Sequence, residues 1–243
     1  MADIPQDAFK ITLKALLKKI ILGEYKQNLL PSENNLSAEY GVSRSTIRSV
    51  LSVLDAKGII LKQSKKKAQI MPIENWDWFD TDILNVIREN ISRTEVFHYI
   101  LFIRLTFEPS ICALAALRCS IAELNELNEC YKIMKRGFDN NDTAEFKKGD
   151  VGMHALLFKV AHNPFCNVVG NLILKTSVMS IDFTLPGSRD DFATSLNKHK
   201  QLIDAIRVQD AKKAKFVMQD ILMDSVNILF KEDLPDYIEQ IHH

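Results

Sequence analysis

From Asp80 almost to its end the chain repeats apolar residues at helical spacing, broken only at Pro164 and at Pro186-Gly187, and this pattern limits its fold more than any other feature. Helices are expected at about 80–90, 93–118, 121–138, 142–162, 165–182, 190–207 and 210–231. No strand-like alternation of useful length interrupts them, so this part is predicted to be an all-α antiparallel helical bundle.

The first 72 residues obey different rules. Between Asp7 and Tyr25, Phe9, Leu13, Leu16, Leu17, Ile20 and Ile21 recur on one helical face, and Gly23 ends that helix. Ser32 can cap a short helix through Leu36, Ala38 and Tyr40, after which Gly41 supplies a tight turn. Ser43 can cap the next helix, which carries Ile47, Val50, Leu51 and Leu54 on one face and presents Arg44, Ser45, Thr46 and Arg48 from the other face and first turn. A recognition helix needs this division: apolar residues seat it while its N-terminal part meets base edges and phosphates. Arginine can grip guanine bidentately, and hydroxyls serve phosphates or bases. Two short strands, 59–63 and 68–71, are expected around Ser64-Lys65-Lys66-Lys67, a hairpin whose lysine tip would contact phosphate. The competing reading is a small helical domain with a basic loop.

Charge agrees with a polyanionic partner. Residues 1–72 hold 12 Lys/Arg against 6 Asp/Glu, and the rest of the chain holds 19 against 25, so a basic head joins an acidic body in a chain of net charge zero. A length of 243 residues suits two domains, and 47% apolar with 26% charged residues is ordinary globular composition. The expected organisation is a winged helix-turn-helix over 1–72, an aromatic linker over 73–79 containing Trp76-Asp77-Trp78-Phe79, and an all-α effector-binding and dimerisation domain over 80–235. The N-terminus lacks a basic segment followed by an apolar one, and no later stretch reaches 18 uninterrupted apolar residues, so the cytoplasm is expected and a membrane is not. Cys112, Cys119, Cys130 and Cys166 lie in apolar-periodic stretches without C-x-x-C pairing and read as reduced core thiols. His242 and His243 end the chain, read equally well as part of an expression tag, and are set aside.

In the body, Asp150 and His154 stand four residues apart on one helical face, and His199 lies on a later helix. A carboxylate and two imidazoles converging in a bundle core suit a divalent metal such as Zn²⁺ or Ni²⁺; spacing alone fits a hydrogen-bonded pair at least as well. Arg104 sits in a largely apolar helix, where it reads either as an internal salt bridge with Glu108 or as a bidentate clamp for an acidic effector.

The run Leu30-Pro31-Ser32-Glu33 to Gly58-Ile59-Ile60, with Ser43-Arg44-Ser45-Thr46-Ile47-Arg48 inside it, resembles the signature of the GntR superfamily. Lys65-Lys66-Lys67 stand where wings of that family usually carry glycine. The body is similar to the FadR-type (FCD) ligand-binding domain, through Asp150-Val151-Gly152-Met153-His154, the following Asn163-Pro164, and His199. That resemblance implies a transcription regulator and no enzyme, a metal held by Asp150, His154 and His199, an arginine at Arg104 facing the ligand cavity, and a fourth histidine where this chain has Ile221. Trp76 to Leu84, Val160 to Pro164 and His199 to Asp210 resemble sugar-acid regulators of the galactonate type. The implied protein is a homodimeric repressor on a pseudo-palindromic double-stranded operator, released by a sugar acid or, alternatively, by another small carboxylate such as lactate, an amino acid or a fatty-acyl thioester. A metal-dependent enzyme built on the same three ligands is the rival from another class, and no H-E-x-x-H, nucleophile elbow or glycine-rich phosphate loop accompanies it.

Overall fold

The computed structural model describes residues 6–63, 66–184 and 188–230, which form two compact units, the first reaching Ile91 and the second starting at Ser92. Lys65, His242 and His243 lie outside the described residues.

In the first unit α1 (Gln6–Ile21) buries Leu13, Leu16, Leu17 and Ile20. The Ser32 hydroxyl caps α2 (Glu33–Tyr40) by accepting from the Asn35 N–H at 3.3 Å, and Ser43 caps α3 (Arg44–Ala56) by accepting from the Thr46 N–H at 3.1 Å. Between them Gly41 closes α2 in the left-handed conformation, φ 63°. Strands β1 (Ile60–Leu61) and β2 (Gln69–Ile70) pair antiparallel, Ile60 opposite Ile70, and Leu29 bridges to Gln69 on the other side of β2. The expected hairpin is therefore present, with strands shorter than predicted. Turn, wing and both short helices share one core of Leu36, Ile47, Val50, Leu54 and Ile59, each fully buried.

The segment read as a linker is folded. Ile73–Asn75 make one 3₁₀ turn, the Trp76 indole donates to the Met71 carbonyl at 2.9 Å, and Trp78 stacks on Trp76 with ring centroids 5.6 Å apart. Gly58 admits this return: its φ is +71°, and a Cβ there would stand 2.3 Å from the Asn75 carbonyl oxygen. Next, α4 (Thr81–Asn90), capped by Asp80, buries Ile83, Leu84, Val86 and Ile87 and packs on α1. Lys57 ties it down through Asp80 and, at 3.0 Å, Asp82; Lys14 pairs with Glu89 at 2.7 Å. Helix α4, which the sequence places at the start of the all-α domain over 80–235, packs with the first unit, which reaches Ile91. An amphipathic helix advertises an apolar face without saying which core receives it.

The second unit contains α5 (Arg93–Arg118), α6 (Ile121–Asp139), α7 (Thr143–Val160), α8 (Pro164–Thr184), α9 (Arg189–Arg207) and α10 (Ala211–Phe230), as the periodicity predicted. Pro164 starts α8 at its first helical position, where no intrahelical N–H is needed. Capping boxes at Ser120/Glu123 and Ser188/Asp191 start α6 and α9. Helix α5 runs through the middle, packed by α7, α8, α9 and α10. By length and composition its Tyr99–Arg118 stretch would also suit a membrane span, and 56% of that window is buried by these neighbours. Cys112 is buried, the other three cysteines are half-buried, and all four are unpaired. Helices α6 and α7 touch backbone to backbone: a Cβ on Gly149 would lie 2.6 Å from both the Cys130 carbonyl oxygen and the Met134 nitrogen. That contact sets the height of Asp150, the next residue on α7.

Candidate functional site

On the head, the first turn of α3 divides its predicted residues into two kinds. Arg44, Ser45 and Arg48 are exposed, whereas Thr46 is 3% exposed and its hydroxyl lies 2.8 Å from that of Ser43. Ser43 spends its oxygen on the cap and lies 2.7 Å from the Ser45 hydroxyl. Thr46 and Ser43 thus build the helix start, and Arg44 and Ser45 face solvent beside it. Arg48 is linked to α2 by an exposed pair with Glu33, Nε to Oε2 at 2.8 Å. Lys66 and Lys67 are exposed on the wing. Lys62 joins wing to α3, its Nζ donating to the Ser52 hydroxyl at 2.9 Å and its backbone N–H to Asp55 at 2.9 Å.

In the helical unit, Asp150 and His154 from α7 meet His199 from α9. They are 7%, 2% and 1% exposed, and one ligand atom from each lies within 4.8 Å of the others. Asp150 Oδ1 is 3.1 Å from His199 Nε2, and Asp150 Oδ2 is 4.0 Å from His154 Nε2. The rings cross at 81° with centroids 5.8 Å apart. His199 Nδ1 lies 2.8 Å from the Ser195 carbonyl oxygen, an acceptor, and this contact turns Nε2 into the cluster toward Asp150. At 3.1 Å from Asp150 this nitrogen is within ion-pair reach, yet its direction leaves it buried without a hydrogen bond. A carboxylate oxygen and an imidazole nitrogen facing each other in a buried site are joined by a proton or, equally, by a metal cation between them. The ligand types, with the Ser195 carbonyl orienting His199, fit a divalent metal at Asp150, His154 and His199.

Behind the cluster stands Glu108. Its Oε2 is 2.7 Å from His154 Nδ1, and its Oε1 is 2.7 Å from Arg104 Nε. Burial pushes the Glu108 carboxyl up, but Arg104 and His154 outweigh it and hold it at about 2. Asp150 is likewise pushed up by burial and pulled further down, to about 2, by His199, His154 and Arg104. Both carboxylates stay ionised in the core. The salt-bridge reading of Arg104 is realised; the residue also lines the cavity over the cluster, with Nη2 3.5 Å from His154 Nε2.

That cavity measures about 70 Å³. Phe146, Phe192, Ile221 and Leu222 give it apolar walls, and Asp191, Ser195, Asp224 and Ser225 add polar groups. Ile221 occupies the wall where the resemblance places a fourth histidine, and it offers no lone pair. The neighbouring Asp220 pairs with Lys198 at 2.9 Å, outside the cavity lining. Sequence reasoning did not give Ser195 or the Glu108–His154 contact a role. Ser195 and His199, four apart, carried a readable signal; Glu108 and His154 are on different helices and carried none.

Comparison with known proteins decides the family. Residues 99–224, more than half of the chain, match the FCD domain, and residues 12–70 match the bacterial regulatory proteins of the gntR family. The chain belongs to the gntR family, in its FCD-domain branch. It is a DNA-binding transcription regulator with a domain for a small-molecule effector, and the enzyme alternative falls away. The regulator is 29% identical to the galactonate operon transcriptional repressor of Escherichia coli K12, over 82% of this chain and 86% of that one. It is 28% identical to the HTH-type regulator YieP of the same organism, over 87% and 91%. A GntR structure from Streptococcus agalactiae shares the fold with TM-score 0.50 and 23% identity, covering 89% of this chain and 97% of that one.

Proposed function

We propose that this regulator is a homodimeric repressor whose winged heads hold a pseudo-palindromic operator until a small sugar acid enters the helical unit. Arg44 and Ser45 read base edges and phosphates at the start of α3, with Arg48 beside them; Lys66 and Lys67, and by sequence Lys65, take backbone phosphate. Ser43 and Thr46 contribute by fixing the helix start. Such a repressor meets its operator in the cytoplasm.

In the helical unit, Asp150, His154 and His199 would hold a divalent ion of the zinc or nickel kind. When bound it supplies a fixed positive charge to receive the effector's carboxylate. Arg104 adds a guanidinium from the same wall, shared with Glu108. With Ile221 in place of a further ligand, protein groups fill only three positions, which leaves room for water or effector. The polar groups at Asp191, Ser195, Asp224 and Ser225 suit hydroxyls better than an acyl chain. A cavity of about 70 Å³ has room for roughly five waters, so an acid of several carbons must push its walls apart. That displacement couples effector to DNA, and only to the extent that the acid binds the open arrangement more tightly.

The observation that carries this reading is the convergence of Asp150, His154 and His199 in one buried cluster, with His199 oriented by Ser195 so that Nε2 faces Asp150. Its test is a titration of the protein on DNA upstream of its own gene, repeated with sugar acids, with added Zn²⁺ or Ni²⁺ and with chelator. An aldonate that weakens operator binding at least tenfold only when metal is present supports it. Operator affinity indifferent to every acid removes the effector role, and release unaffected by chelator removes the metal.

A further inference from the structure

A second cavity of about 160 Å³ lies beside the first, between the α6–α7 turn and the start of α9. Phe146 and Phe192 line both cavities, their rings packed edge to face at 86° with centroids 4.9 Å apart. Two phenyl rings are therefore the partition, and an edge-to-face pair is worth only about 0.5–1.5 kcal/mol beyond its buried area. On the far side, Arg189 lies over the face of Phe138, 4.3 Å from guanidinium carbon to ring centroid, and donates to the Phe138 carbonyl at 3.4 Å and to the Asn141 side-chain oxygen. All three partners are neutral. Among the described residues no carboxylate pairs with Arg189; Asp142, in the same lining, uses Oδ1 to cap α7 through the Glu145 N–H at 3.0 Å. The other cation lining these two cavities, Arg104, is neutralised by Glu108. A guanidinium held in place by neutral groups at a cavity wall is an anion site waiting for its anion.

We propose that the two cavities are two halves of one effector site, and that the outer half takes a second anionic group through Arg189. The effector is then a diacid: one carboxylate at the Asp150–His154–His199 end, a hydroxylated chain passing the parted rings of Phe146 and Phe192, and a distal carboxylate on Arg189. This rests on the effector role proposed above and narrows its chemistry from a sugar acid to a sugar diacid.

Calorimetric titration of the full-length, metal-loaded protein with a matched six-carbon aldarate and aldonate tests it, on wild type and on Arg189→Gln. Wild type is expected to favour the diacid by ~10-fold or more, the worth of one charge-assisted pair. Arg189→Gln should erase that preference while leaving the monoacid within about twofold, and Arg189 is exposed, so an unchanged melting curve confirms that the variant folds. Phe192→Leu, which thins the partition, should raise diacid affinity or on-rate more than those of the monoacid. Equal affinity for the two acids, or a diacid preference that survives Arg189→Gln, overturns the proposal. Adipate against hexanoate provides a pair without hydroxyls. An Arg189-dependent preference for adipate with no binding of either sugar acid would keep the outer site and discard the sugar, and indifference to both pairs would discard the outer site.

Discussion

The head and the helical unit solve opposite problems with the same residue type. On the head, Arg44 stands in solvent at the start of one short helix and Arg48 beside it makes only an exposed pair with Glu33, so their charge can be turned to a partner without disturbing the core. In the helical unit Arg104 is 3% exposed, and its charge is already committed to Glu108, itself 2% exposed, which also braces His154. A reading surface can change residue by residue; a buried cluster changes as a block.

The largest expected consequence is in the block. Replacing Arg104→Met leaves the buried Glu108 carboxylate with His154 alone and should cost about 3–5 kcal/mol in urea unfolding of the helical unit, with part of it recovered by adding Glu108→Leu. A loss below ~1 kcal/mol would mean that water reaches the pair and that the contrast with the head is false. Next comes Arg44→Ala, expected to weaken operator binding by about 1–3 kcal/mol in fluorescence anisotropy while leaving the unfolding curve in place. If stability fell with it, the head would not be the independent surface described. Smaller again, removing Lys66 and Lys67 together should reduce the slope of log affinity against log salt by about 2, one unit for each phosphate contact, and weaken all DNA sequences alike.

The smallest effect concerns the fastening of α4 within the first unit. Asp80 is pushed up by burial but held below its ordinary 3.8 by Lys57 and by the N–H groups of Ile83 and Asp82. A carboxyl lowered in the folded state adds stability above its unfolded value, and loses it as pH falls through the folded one. Asp80→Asn should therefore lower the head's stability near neutrality and flatten its decline below about pH 4, by well under ~1 kcal/mol because the pair is partly exposed. A pH profile identical to wild type would unfasten α4 from the head.

What could be read in the chain followed how far apart the cooperating residues lie. Ser32, Gly41 and Ser43 act on backbone within a few positions, and both short helices appear where those residues predict them. Asp150 and His154 share a face of α7 for the same reason, and Pro164 marks the start of α8. Thr46 was read as outward, but its methyl and hydroxyl pack inward against the cap, a choice that a helical wheel alone leaves open. Arg48's bond to Glu33, the seating of α4 on α1, and the Arg104–Glu108–His154 chain each join separate elements. No local pattern encodes those partners. The resemblance to FCD domains drew His199 into the cluster; only three-dimensional packing displayed Glu108 behind it and Arg189 beyond the phenyl rings.

Gly149 gives the site a mechanical character. Most helix pairs are cushioned by side chains that can rotate and soak up a small push, but at the residue beside Asp150 α7 lies against α6 backbone with only the Met134 side chain alongside. A push on that carboxylate would meet little that can rotate out of its way, and would pass to α6, a helix that also packs on α9.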